Sequence, residues 1–282
     1  MKEIAILMTC HNRLPKTLEC LLYLFNQEGL SDFRFIIYLV DDGSTDDTGV
    51  VIKEKYPDIN VLFGDGNLFW NKGMHLAFGE ALKVGHDYYL WLNDDTYLHP
   101  TALKVMLDTH TNLESQGKGA SIVVASTQDP KSGSFTYGGY VKRGNLLNPL
   151  RLRLLPPSEV PIPCDTMCGN CVLIPESVSR EIGNIDGHFQ HRWGDVDYGL
   201  RACRAGCEVW IAPGYLATCK SNPKADGWRD RTLSLTQRLH ALHGIKGLGK
   251  HDWYRYTKLH GGILWMTVWI RPYMHLVFDT FR

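Results

Sequence analysis

Over its first 125 residues the chain repeats one unit: a short apolar run, a polar turn and an amphipathic stretch. No other feature restricts its possible folds so strongly. The runs at 4–8, 35–40, 59–63, 88–92 and 120–125 read as strands. The run at 35–40 is apolar at successive positions, as suits a strand covered on both faces. Between the runs, Leu18, Leu21, Leu22 and Phe25 mark one face of a helix with Pro15 in its first turn. A second helix is capped by Thr45 or Asp46 and ends near Lys55, a third covers 71–83, and Pro100 starts a fourth. Repeated β-α-β units imply a mostly parallel sheet with helices on both faces. Such sheets bind ligands at the carboxyl ends of their strands. His11, Asp42 and Asp95 each lie just past such an end.

The remainder is less regular. Residues 126–163 are rich in Gly, Pro and Ser and read as loops with a β-hairpin near 135–141. A strand at 170–174 precedes a short helix opened by Pro175. The stretch HRWGDVDYGLRACRAG, 191–206, reads as a loop entering a helix. Val196, Leu200 and Cys203 form its inner stripe, Gly206 stops it, and a strand returns at 208–212. The expected organisation is an α/β domain over 1–220 and a helical, basic and aromatic extension over 221–282. From Lys220 onward there are 11 Lys and Arg against 4 Asp, an excess of seven charges in a chain of net charge zero. A basic tail on an acidic body suits an anionic lipid surface, although charge also varies along chains without consequence. The stretch 262–281 is dense in Leu, Trp, Met, Val and Phe but is split by Arg271 and Pro272. It lacks the long uncharged run of a spanning helix. It suits an interfacial or partner-packing helix, with packing on the main domain as the alternative.

KEIAILMT, 2–9, reads as a strand rather than a secretory leader, so a cytoplasmic location, peripheral on the inner face of a membrane, is the expectation. The eight cysteines then read as reduced thiols, many of them buried. Cys164, Cys168 and Cys171 lack the second CxxC or His pair that a structural zinc site needs.

Three polar features carry chemistry. WLNDDTYL, 91–98, puts Asp94 and Asp95 behind an apolar run. Paired carboxylates at a strand end suit Mg²⁺ or Mn²⁺, which relieves their repulsion and neutralises a diphosphate leaving group. Capping of the next helix, or plain solvent exposure, is the structural alternative. The DDGS turn at 41–44 suits a tight turn, or an Asp accepting from a nucleobase or ribose. Asp195 stands in the first turn of a helix, where the ionised form is favoured, as a base or a cap requires. Asp197, two residues on, points elsewhere.

Taken in order, MTCHNR (8–13), VDDGSTDDT (40–48), LNDDT (92–96) and WGDVDYGLRACRAG (193–206) resemble the motifs of family 2 glycosyltransferases of the GT-A fold. The likeness covers about residues 1–220. GNLFWNKGMHLAF, 66–78, also resembles the loop-helix of members that use deoxyhexose or furanose donors. The resemblance implies inverting transfer of a hexosyl or deoxyhexosyl unit from a nucleotide-diphosphate sugar to a saccharide or lipid-linked saccharide hydroxyl, in making surface polysaccharide or glycolipid. It implies Thr9 and His11 at the nucleobase, with His11 where many members have Tyr. Asp42 is implied as the acid that bonds the base, with Asp41 beside it. Arg13, Asn67, Trp70 and Lys72 fall on the donor side. Asp95 is implied as the metal ligand, Asp94 toward the ribose or metal waters, and Asn93 replaces the usual first acid. Asp195 matches the catalytic base. Gly169 and Asn170 match the acceptor-side turn, and Trp193 either stacks on a sugar or serves as a buried anchor. Many members complete the metal site with a His that is Cys219 here. The metal then has fewer ligands, or His188 or His191 substitutes, or the segment has another task, such as placing Lys220 or Arg229 on the diphosphate.

Two other functions compete. A sugar-1-phosphate nucleotidyltransferase wants a Gly-rich, basic phosphate loop, which MTCHNR lacks. A silent sugar-nucleotide-binding subunit does not need Asp42, Asp95 and Asp195 together. No nucleic-acid partner is expected.

Overall fold

In the computed structural model, which describes residues 1–145, 148–221, 227–245 and 247–280, the expected alternation is realised. It runs β1 (Lys2–Cys10), α1 (Leu14–Phe25), β2 (Phe33–Asp41), α2 (Thr48–Lys55), β3 (Asn60–Phe63), α3 (Phe69–Val84), β4 (Tyr88–Leu92), β5 (Tyr97–Leu98), α4 (Ala102–Ser115) and β6 (Ser121–Gln128). Strands β4, β1, β2 and β3 lie side by side in that order and are parallel. Their apolar residues alternate between two cores. Ile4, Ile6, Met8, Leu90 and Leu92 face α1 and α4, whereas Ala5, Leu7, Tyr89 and Trp91 face α3. This double covering is why the strands read as unbroken apolar runs. At the joint between α3 and β1, a Cβ on Gly73 would stand 2.3 Å from Thr9 Oγ1. Only glycine permits that approach.

The second helix begins later than expected, at Thr48 after Asp47, which adopts a left-handed φ of 59°. Asp46 is still used, because its carboxylate accepts from the Thr48 N–H and, across the turn, from the Leu14 N–H.

The irregular middle holds β7 (Phe135–Tyr137), β8 (Gly139–Lys142), β9 (Leu152–Leu154), β10 (Ile162–Cys164) and β11 (Thr166–Met167). The expected hairpin near 135–141 is not formed. Strand β7 pairs with β6 in the main sheet, while β8 pairs with β9 and β11 in a separate three-stranded sheet. Tyr137 and Gly139 therefore belong to different sheets, and the chain changes sheet at Gly138.

Next come β12 (Cys171–Pro175), α5 (Glu176–Ile182), α6 (Gly194–Arg204) and β13 (Glu208–Thr218). Strand β12 inserts antiparallel between β4 and β6, and β13 runs parallel to β6. Helices α7 (Leu235–His243), α8 (Lys250–His260) and α9 (Trp265–Thr280) close the chain. They explain one departure from the sequence reading. Val196 and Leu200 do not face the sheet but pack with Phe189 against Trp253, Tyr256 and Val268. Tyr198 and Ala202 take the sheet-facing role, so α6 is covered on both sides. On α9 only part of the apolar surface is used: Val268 and Leu276 are buried, whereas Met266, Ile270, Met274, Val277 and Phe278 are exposed.

Candidate active site

The carboxyl ends of β1, β2 and β4 open onto one cavity of about 860 Å³. Thr9, His11, Arg13, Asp42, Trp70, Asp94, Asp95, Gly169, Asn170, Trp193 and Asp195 all line it. Asp41, Asn67 and Lys72 do not. The Asp41 carboxylate is buried in its own turn, accepting from the N–H groups of Ser44 and Gly49. Asn67 is exposed on the 66–69 loop and Lys72 is half-buried on α3.

Asp42 is buried, and its position is explained by backbone donors. Its Oδ1 accepts from Gly66 N–H at 2.9 Å and Leu68 N–H at 3.2 Å, and Oδ2 accepts from Phe69 N–H at 2.8 Å. The acid therefore shapes the loop that starts α3. Phe69 there has φ 53°, a backbone that non-glycine residues adopt only when their surroundings enforce it. His11 Nδ1 lies 2.6 Å from the Asp42 carbonyl oxygen, which can only accept, so Nδ1 carries the proton.

The pair Asp94 and Asp95 does not cap a helix; Asp94 is buried and Asp95 is partly exposed at the cavity wall. Arg13 Nη1 donates to Asp94 Oδ1 at 2.8 Å and to Asp95 Oδ2 at 2.9 Å. One guanidinium thus relieves the repulsion between adjacent carboxylates. Burial pushes the Asp94 carboxyl up to about 6, against the pull of Arg13, and Asp95 adds to the rise. Asp94 Oδ2 is buried and has no hydrogen-bond partner among the described residues. Asn93, in place of a first acid, accepts from Trp70 Nε1 at 2.7 Å and so holds the indole across the cavity.

Cys219 stands beside Asp95, with Sγ 3.8 Å from Oδ1. Burial first, and then the Asp95 charge, push this thiol up to about 12, and a soft sulfur is in any case a poor donor for Mg²⁺. His188 is exposed and pairs with Asp186 outside the cavity, whereas His191 lines it. Lys220 also lines the cavity, and Arg229 instead lies over the Trp228 ring. Among the described residues no group of three His, Cys, Asp or Glu side chains is placed to hold a metal ion.

At the other end, Asp195 Oδ2 accepts from Gly169 N–H at 2.9 Å and Oδ1 from Val196 N–H at 2.8 Å. Burial raises its pKa above the ordinary carboxylate value, with those two N–H groups opposing the rise. Asp197 points away, as expected from its spacing, and pairs with Arg201 and His260. Trp193 is both cavity wall and anchor: it stacks on Tyr256 with centroids 4.5 Å apart. Phe69, Tyr137, Tyr140, Leu152 and Ile245 also line the cavity. Phe69 lay within a motif, but the others come from the irregular middle and the extension, where no periodicity marks them.

The profile of Glycosyl transferase family 2 matches residues 5–181. The chain belongs to that family. Among curated proteins it is 23% identical over 196 residues to N-acetylglucosaminyl-diphospho-decaprenol L-rhamnosyltransferase of Mycobacterium tuberculosis, in two strains. The match covers 62% of this chain and spans 62% of the length of each relative. Among solved structures, that of S. aureus TarS superposes with a TM-score of 0.54 at 13% identity, covering 93% of this chain and 44% of TarS. TarS 1–349 in complex with UDP gives 0.54 at 12% identity, covering 92% of this chain and 70% of that one. At such identities these superpositions speak for the fold, which is the expected GT-A architecture with C-terminal helices.

Proposed function

We propose that the chain is an inverting glycosyltransferase that moves a hexosyl or deoxyhexosyl unit from a nucleotide-diphosphate donor to a saccharide or lipid-linked saccharide hydroxyl. The observation that carries this reading is the convergence of Asp42, the Asp94–Asp95 pair and Asp195 on one cavity. The mycobacterial relative, named for an L-rhamnosyl transfer to a glycolipid, favours a deoxyhexose donor and a role in surface polysaccharide or glycolipid synthesis.

In this reading Thr9, His11 and the Asp42 turn hold the nucleoside end. Arg13 and Lys220 supply positive charge along the diphosphate. Trp70, fixed by Asn93, places the donor sugar between the acidic pair and Asp195. Gly169, Asn170 and Trp193 form the acceptor wall. Asp195 takes the acceptor hydroxyl's proton as that oxygen attacks the anomeric carbon, and reach and orientation supply much of the rate. Its raised pKa suits a base matched to a weakly acidic hydroxyl. A divalent cation also fits: Asp95 and the unpartnered Asp94 Oδ2 are hard oxygen donors, and Mg²⁺ or Mn²⁺ takes the rest of its shell from water and phosphate. When bound, it supplies Lewis-acid stabilisation of the departing diphosphate.

A panel of hexose and deoxyhexose nucleotide-diphosphate sugars, read by thermal shift with and without Mg²⁺, tests donor recognition. A rise in melting temperature with at least one donor supports the reading, and no shift with any donor opposes it. The extension, taken as residues 221–282, is the proposed contact with an anionic membrane surface on its cytoplasmic face. Among the described residues no helix is long and apolar enough to cross a membrane. The exposed row on α9, with Arg271 beside it, suits an interfacial position. Co-sedimentation with vesicles containing anionic phospholipid should fall when Ile270, Met274 and Phe278 are changed to Ser, and unchanged binding would remove this part of the proposal.

A further inference from the structure

The loop that delivers Asp195 is not held by the α/β domain alone. Gln190, His191 and Arg192 direct three successive backbone N–H groups at one carboxylate, that of Asp252 on α8. Gln190 N–H reaches Oδ1 at 3.0 Å and Oδ2 at 3.2 Å, and His191 and Arg192 N–H reach Oδ2 at 3.2 and 3.3 Å. Asp252 is 4% exposed. Successive N–H groups converging on one anion form a nest, and hydrogen bonds to a charged acceptor are about twice as strong as neutral ones.

The nest is reinforced on either side. Trp193 Nε1 donates to the Leu248 carbonyl at 3.2 Å, and Arg192 Nη1 donates to the Gly247 carbonyl at 2.8 Å. Trp193 itself sits at φ 74°, and its carbonyl accepts the Asp197 N–H at 2.7 Å in the first turn of α6. A strained residue held on both sides thus lies two positions before the proposed base. Arg255 fixes the start of the same loop through Asp186, with Nε 2.7 Å from Oδ2.

We propose that Asp252 is a positioning residue: it locks the 190–192 backbone, and through Trp193 it sets Asp195 and the acceptor wall. The C-terminal helices are then a working part of the acceptor side and not only a covering. The donor-end carboxylates are held from within the α/β domain, Asp42 by the 66–69 loop and the Asp94–Asp95 pair by Arg13. The proposal rests on Asp195 being the base, and the test separates the two.

The test uses the full chain carrying Asp252→Asn, with Asp252→Glu and Asp195→Asn alongside. The amide groups are followed by hydrogen exchange, and transfer is followed with a nucleotide-diphosphate L-rhamnose donor and an N-acetylglucosaminide acceptor. Asp252→Asn should lower amide protection at 190–192 at least ~10-fold while protection in β1 and β4 holds. Turnover should drop about 10- to 100-fold, since a displacement near 1 Å can cost that much. The acceptor KM should rise, and the donor KM should stay within about threefold. Asp252→Glu, which keeps the charge one methylene away, should recover part of each effect, and it carries the test if Asp252→Asn does not fold. Unchanged protection at 190–192, or equal changes in donor and acceptor KM, would overturn the proposal. If Asp195→Asn turns over normally while the loop still loosens in Asp252→Asn, the base assignment fails and the anchoring by Asp252 stands.

Discussion

Replacing Arg13 with Met keeps the length of the side-chain stem and removes the guanidinium that joins Asp94 to Asp95. The consequence can be sized. Each pair is worth ~4 kcal/mol with charge centres 4 Å apart at an effective dielectric of 20, and stranding a buried charge commonly costs about 3–5 kcal/mol. Arg13 is 41% exposed and Asp95 24%, so solvent screening reduces this, whereas Asp94 at 6% is not so screened. Asp94 also limits the loss by taking up a proton, because its carboxyl already stands at about 6. A destabilisation of about 2 kcal/mol at pH 7.5 follows, which is roughly 4–8 °C in melting temperature for a chain of this size. The loss should narrow toward pH 5, where Asp94 is protonated in both proteins, and widen as pH rises through 6. Calorimetry in EDTA reads this directly. Adding Mg²⁺ should restore more stability to Arg13→Met than it adds to the parent, because the cation then supplies the positive charge that Arg13 no longer does. A melting temperature within 1 °C of the parent in EDTA at pH 7.5, or a loss that does not depend on pH, would refute the reasoning.

Three further outcomes are expected. Because the pKa of Asp195 is raised in the ligand-free protein and the proposed base must be ionised, kcat/KM should fall on acidification at a pH above the ordinary carboxylate range, and Asp195→Asn should lack that limb. The same shift makes the stability contribution of Asp195 present at low pH and lost as pH rises through its folded value, so Asp195→Asn should gain stability over the parent on going from pH 4 to pH 8. Gly169→Ala sets a Cβ 2.5 Å from the Trp70 ring and 3.2 Å from Asp195 Cβ. It should cost about 1–3 kcal/mol in denaturant unfolding and lower turnover at least ~10-fold.

The parallel strands were legible because burial on both faces leaves an unbroken apolar run, as in β4, whose bounds match the sequence reading. The rim carboxylates were legible because charge at a strand end is costly without a purpose. Three things were not. The partner of Asp94 and Asp95 is Arg13, some 80 residues away, and no local pattern announces a contact at that separation. Val196 and Leu200 have the spacing of an inward stripe, but amphipathicity gives only a face and not what covers it, and here the C-terminal helices do. Asp252 looked like one acid in a basic tail, because its partners are backbone N–H groups that any sequence would offer.

The central claim is that Asp195 does the chemistry in a cavity whose donor end is built independently of it. Asp195→Asn keeps the shape of the side chain and can still accept from Gly169 N–H. Donor affinity measured by calorimetric titration should stay within about threefold of the parent, while sugar transfer falls by about 100-fold or more. Near-normal transfer by Asp195→Asn, with donor bound, would contradict the account.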